Sequence, residues 1–100
     1  MITGGCLCKA VRYKSTEPPV TVRACWCRVC QYIGAGGPAT GAAFKTATFT
    51  VEGTVKDYVR TADSGNRMHT RFCPECGTHL FSEADARPHL VFVRVGSLDD

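Results

Sequence analysis

The stretch Cys73-Pro74-Glu75-Cys76-Gly77 decides the reading of this chain. Two cysteines two residues apart, with Pro inside and Gly behind, form a zinc knuckle. The Gly accepts the φ > 0 turn that brings backbone N–H groups toward the sulfurs. A knuckle supplies two of the four thiolates that a closed tetrahedral site needs. The chain has seven cysteines, so two of the remaining five must complete the site.

Those five fall in two clusters, Cys6-Leu7-Cys8 and Cys25-Trp26-Cys27-Arg28-Val29-Cys30. A one-residue spacing lets both sulfurs meet one ion only where a turn bends the chain, and Gly4-Gly5 beside Cys6 eases that bend. The natural grouping is Cys6, Cys8, Cys73 and Cys76 around one structural Zn2+, which ties the two ends of the domain together. The competing reading is four buried free thiols. The middle cluster offers Cys25, Cys27 and Cys30 with no obvious fourth ligand. Three protein ligands and an open position describe a catalytic zinc, and an added thiol competes well for such a position because sulfur is the softer ligand. Here the alternatives are a second structural site closed by a histidine, or an empty reduced cluster. A redox role for Cys27-x-x-Cys30 finds no support, because no βαβ pattern surrounds it.

One hundred residues, 44% of them apolar, make one globular domain, spanning residues 1–100, whose limited core a metal clip would reinforce. An odd number of cysteines fits poorly with a secreted disulfide scaffold. Met1-Ile2-Thr3-Gly4-Gly5 runs straight into a Gly/Cys turn without an apolar signal region, and no apolar run approaches the roughly 20 residues that cross a bilayer. The expectation is a cytoplasmic protein with no membrane partner. The formal charge of +3 counts every cysteine as neutral. Seven thiolates and two divalent ions would change it by −3, to zero, which removes the argument for a nucleic-acid partner.

Short alternating segments dominate the rest. Residues 2–8 read as a short strand running into a turn, and further strands are expected at Val11–Lys14, Val20–Ala24, Ala43–Lys45, Arg67–Phe72, Thr78–Ser82 and Leu90–Val95, with one helical turn between Cys25 and Ile33. Phe49–Glu52 and Val55–Arg60, separated by Gly53-Thr54, read as a hairpin. Gly34 to Gly41 reads as an exposed loop, and Asp63-Ser64-Gly65-Asn66 as a turn. No segment keeps a period near 3.6, so the fold class is mostly β with at most short helical turns. His69 and His79 flank the knuckle and are candidates to cover the structural site; His89 is expected to be exposed. Arg23 and Arg28 read as solvated charges that could otherwise meet a carboxylate, and Trp26 as either a wall over the open site or a cap on the core.

The motifs resemble the glutathione-dependent formaldehyde-activating enzyme family, the domain also found in centromere protein V. The resemblance runs through Gly4-Gly5-Cys6-Leu7-Cys8-Lys9-Ala10-Val11-Arg12-Tyr13, the middle cysteine cluster, Arg71-Phe72-Cys73-Pro74-Glu75-Cys76-Gly77-Thr78 and Val95-Gly96-Ser97-Leu98-Asp99-Asp100. It implies β-sheets held by a structural zinc on Cys6, Cys8, Cys73 and Cys76. It also implies a second, active-site zinc on Cys25, Cys27 and Cys30, where glutathione and formaldehyde join to S-hydroxymethylglutathione, a carbon–sulfur lyase chemistry. Trp26 and Lys9 stand where the family usually has His and Gly, and family members usually continue beyond Asp100. The rival function classes are a non-catalytic zinc-stabilised binding module and a glutathione carrier without turnover.

Overall fold

The computed structural model describes all 100 residues. Nine strands form two antiparallel sheets. The smaller sheet has the order β1 (Ile2–Gly5), β2 (Arg12–Ser15), β5 (Phe49–Glu52). The larger has the order β3 (Thr21–Cys25), β4 (Ala39–Lys45), β9 (Leu90–Arg94), β8 (His79–Ala84), β7 (Arg67–Phe72), β6 (Lys56–Thr61). One helix, α1 (Arg28–Ile33), follows β3, and 3-10 turns at Thr46–Thr48 and Val95–Ser97 complete the elements. The mostly-β class and the single helical turn between Cys25 and Ile33 agree with the sequence.

Two sequence expectations are overturned. Phe49–Glu52 and Lys56–Thr61 do not form a hairpin: β5 pairs with β2, while β6 pairs with β7 in the other sheet. The reason is Phe49, whose ring lies 5.3 Å from Tyr13 and 5.6 Å from Phe81. Burying it in that aromatic cluster holds β5 beside β2, and Gly53, at φ +100° with the Ala10 carbonyl where a Cβ would sit, turns the chain away. The Gly34–Gly41 segment is also only partly loop. Ala39 already lies in β4 opposite Cys25, and Ala39 and Gly41 are buried. Small residues read as loop by composition, yet here they floor a cavity.

The core lies between the sheets. Alternation puts Val91 and Val93 of β9 and Ala42 and Phe44 of β4 inward, against Val11, Tyr13 and Phe81. Tyr13 reaches through the core to Ser97 Oγ at 2.6 Å, which satisfies its hydroxyl. The opposite face of the large sheet carries Arg23, Gly41, Phe92 and Arg94, and it is the face on which α1 sits.

Candidate metal centres and the adjoining groove

The structure brings the seven cysteines into two groups. The first holds Cys6, Cys8, Cys73 and Cys76, all four sulfurs within 4.8 Å of one another. The turn after β1 and the knuckle between β7 and β8 supply one pair each, from opposite ends of the sequence. Gly77 adopts φ +75°, as the knuckle reading requires. The Sγ atoms of Cys6 and Cys8 are 3.6 Å apart and those of Cys8 and Cys73 3.7 Å. A tetrahedron with Zn–S bonds of about 2.3 Å has an edge of about 3.8 Å, so the donor set fits such an ion. Backbone N–H groups of Val11 and Glu75 point at the sulfurs of Cys6 and Cys73, at 3.2 and 3.4 Å. Without metal charge, the Thr78 hydroxyl, helped by nearby backbone N–H groups, already pulls the Cys76 thiol down to about 5. Cys8 moves the other way: against the lowering pull of the Ala10 N–H, the neighbouring sulfurs, Cys6 foremost, push it up to about 12, so the group favours a thiolate at Cys76 and opposes a second at Cys8.

The second group holds Cys25, Cys27 and Cys30, with three sulfurs within the same 4.8 Å and no histidine nitrogen or carboxylate oxygen among them. Cys25 ends β3; Cys27 caps α1, its sulfur accepting from the Cys30 N–H at 3.4 Å. That bond, with the neighbouring Cys30 and Cys25 sulfurs, pulls Cys27 down to about 7, whereas burial and the Cys25 and Cys27 sulfurs push Cys30 up to about 12. Cys25 and Cys27 are exposed. The donor set fits a tetrahedral ion with its fourth position open to the surroundings. No disulfide joins any of the seven cysteines.

Cys25 and Cys30 also line a groove of about 300 Å³ on the outer face of the large sheet. Four arginines line it: Arg23 on β3, Arg60 on β6, Arg87 in the β8–β9 turn and Arg94 on β9. No Asp or Glu does. A second cavity of about 470 Å³, lined by Val29, Tyr32, Tyr58, Phe72 and His79 among others, shares Ile33, Arg60 and Thr70 with the first.

His89 is exposed, as expected, and neither His69 nor His79 covers the structural site. His69 is not at the knuckle: Nδ1 meets Asp57 and Nε2 meets Asp85, each at 2.7 Å. His79 is not part of the cysteine group either. It stacks near Phe72, with its ring centroid 5.8 Å away, and its buried Nδ1 has no partner. Trp26 is 63% exposed and caps no core; its carbonyl instead accepts from the Gln31 side chain. Of the two candidate arginines, Arg28 lies over the Tyr32 ring and only Arg23 reaches the groove. Sequence reasoning missed Arg60, Arg87 and Arg94. The available signal was Arg94, a cation in the alternating run Leu90-Val91-Phe92-Val93-Arg94-Val95, which places it on the same face as Phe92.

Over residues 1–100 the chain matches the family described as glutathione-dependent formaldehyde-activating enzyme. The chain belongs to this family. Its fold is shared with a Rhodobacter sphaeroides protein solved by structural genomics, at TM-score 0.75 and 22% identity over 97% of this chain and 87% of that one. A search of curated proteins returns no match. Membership makes formaldehyde activation with glutathione the general chemistry to be explained. No helix of the fold is long and apolar enough to cross a membrane.

Proposed function

We propose that the chain adds glutathione, or a related thiol, to formaldehyde, giving S-hydroxymethylglutathione, as a zinc-dependent carbon–sulfur lyase of a reducing, cytoplasmic compartment. In this reading Cys6, Cys8, Cys73 and Cys76 hold a structural zinc, and Cys25, Cys27 and Cys30 hold the second. The observation that carries the proposal is the three-sulfur group with an open fourth position, set at the wall of a groove. A Zn2+ held by three thiolates supplies the Lewis acidity that keeps an added thiol ionised near neutral pH. Cys27 and Cys30 hold their relative positions through the first turn of α1. Ile33 and Ala39 give the groove an apolar stretch of wall beside Cys25 and Cys30. In the reaction the thiolate sulfur attacks the carbonyl carbon. The C–S bond forms, the carbonyl π pair moves to oxygen, and that oxygen takes up a proton.

Seven cysteines without a disulfide among them are a set that a reducing compartment preserves. The test combines metal content with exchange kinetics. Protein purified without added zinc is expected to hold about two ions per chain, and Cys27→Ser about one. Exchange of 13C-labelled formaldehyde with its glutathione adduct, followed by NMR, is expected to run faster with wild type than unaided, and at the unaided rate with Cys27→Ser. Saturable glutathione binding without faster exchange would assign a carrier instead, and one ion per chain would leave a zinc-stabilised binding module.

A further inference from the structure

The eight arginines divide into two sets. Arg12, Arg67 and Arg71 each face a carboxylate, and Arg28 lies over Tyr32. The other four, Arg23, Arg60, Arg87 and Arg94, line one groove and make no salt bridge. Two of them are set into the sheet. The Nε atoms of Arg60 and Arg94 are shut off from solvent and have no hydrogen-bond partner, and Arg94 Nη2 reaches only the Ser82 hydroxyl, at 3.3 Å. Burial also pushes the Arg94 guanidinium down from its ordinary value. A buried, charged donor without an acceptor opposes folding, so its persistence in a polar cavity calls for a ligand that supplies the acceptor.

Strand register shapes the space. Arg23, Gly41 and Arg94 stand in one row across β3, β4 and β9. With strands about 4.8 Å apart, the two arginines rise about 10 Å from each other. Gly41 brings no side chain to the floor between them, and the Arg94 guanidinium lies over it, with Nη1 3.5 Å from where a Cβ would stand. Guanidiniums spaced along such a floor suit planar oxyanions, which they grip through paired N–H donors. The sulfurs of Cys25 and Cys30 lie on the wall of the same groove.

We infer that the Arg23–Arg60–Arg94 groove is the carboxylate-recognition subsite of the thiol substrate, so that the protein selects thiols bearing carboxylates over uncharged ones. The identity of the anion rests on the thiol reading of Cys25, Cys27 and Cys30; the charge selectivity rests on the groove alone. Arg60 and Arg94 anchor the carboxylates, while the more exposed Arg23 draws the ligand in.

The probe is S-methylglutathione, which keeps both carboxylates and has no thiol to ionise. Titrated calorimetrically into zinc-replete protein, it is expected to bind, and its diethyl ester to bind at least tenfold more weakly. Arg60→Gln and Arg94→Gln are each expected to weaken binding about tenfold, Arg94→Lys less, and Arg28→Gln, outside the groove, not at all. Circular dichroism establishes that each variant is folded; should Arg94→Gln not fold, Arg60→Gln and Arg23→Gln carry the test. Equal binding of acid and ester, variants indistinguishable from wild type, or no binding at millimolar probe overturns the inference. The chemistry is separable. Arginine-dependent probe binding without faster formaldehyde exchange would remove the reaction and keep the subsite, and faster exchange with arginine-independent binding would do the reverse.

Discussion

Lys9 adopts φ 68°, in the left-handed region, and its N–H donates to the Cys6 carbonyl at 3.1 Å to close the turn between the first two cysteines. An L side chain there crowds its own backbone by about 1–2 kcal/mol. Glycine relieves the crowding but gives back part of the gain through the greater freedom of its unfolded chain. Lys9→Gly is therefore expected to stabilise the metal-loaded protein by about 0.5–1 kcal/mol, read from the urea midpoint at unchanged slope. A lower midpoint would mean that the turn is set by something other than this backbone strain. A second residue-scale consequence concerns Gly41. Its Cβ position is only in ordinary contact with Arg94, 3.5 Å from Nη1, so Gly41→Ala is tolerated, whereas a larger side chain fills the groove floor. Gly41→Val is expected to leave the fold near wild-type stability and to weaken glutathione binding about tenfold, measured by calorimetry beside a thermal melt.

At the scale of elements, His69 clamps three of them. It stands on β7, with one nitrogen on Asp57 of β6 and the other on Asp85 after β8. Arg71 also approaches Asp57, at 3.7 Å, and Arg67 approaches Asp85, at 3.9 Å, so the two carboxylates are shared among three cations. Asp57, then Asp85, raises the His69 pKa above its ordinary value. A raised folded pKa means that the imidazolium stabilises the fold fully below the unfolded value, near 6.5, and that this is lost as pH rises through the folded value. The stability difference between wild type and His69→Gln should thus shrink as pH climbs above about 6.5. Urea midpoints taken from pH 6 to pH 9 check this, and a constant difference would assign the clamp to neutral hydrogen bonds.

Elements also mark what the sequence could reveal. Strand patterns were legible wherever one face is buried and the other is not, as in Arg12–Ser15 and Leu90–Arg94. The knuckle geometry was legible because a short spacing with Gly77 has few backbone solutions. Pairing was not. Gly53-Thr54 between two β-prone runs has every local mark of a hairpin, and only the long-range burial of Phe49 against Tyr13 and Phe81 sends its flanking strands to different sheets. The convergence of Arg23, Arg60, Arg87 and Arg94 was hidden for the same reason. They are far apart in sequence, and a common face exists only once the order β3-β4-β9-β8-β7-β6 is known. His69 and His79 lie off the structural site because nearness in sequence to a cysteine says little about direction once a strand alternates.

For the whole molecule, the two cysteine groups make opposite demands. The four-cysteine group joins segments 65 residues apart at Cys8 and Cys73, and Cys6 and Cys73 are buried in the main core cluster. Closing a loop of that length removes unfolded-chain entropy worth about 4 kcal/mol by analogy with a disulfide cross-link, a large part of what a small domain has. The three-cysteine group closes a short segment, two of its members are exposed, and α1 buries none of its residues. Removing one of its ligands leaves the core untouched. Cys73→Ser is therefore expected to lose about one metal ion and about 3–5 kcal/mol of stability, or to fail to fold. Cys27→Ser is expected to lose the other ion while its melting temperature stays within about 2 °C of wild type. A chelator should act in the same order, stripping the exposed group first without unfolding and the buried group later with it. Simultaneous measurement of zinc release by a colorimetric dye and of β-sheet circular dichroism distinguishes the two phases. A single phase, with release and unfolding together, would mean that both ions are structural, and the open position beside the arginine groove would then have no catalytic part to play.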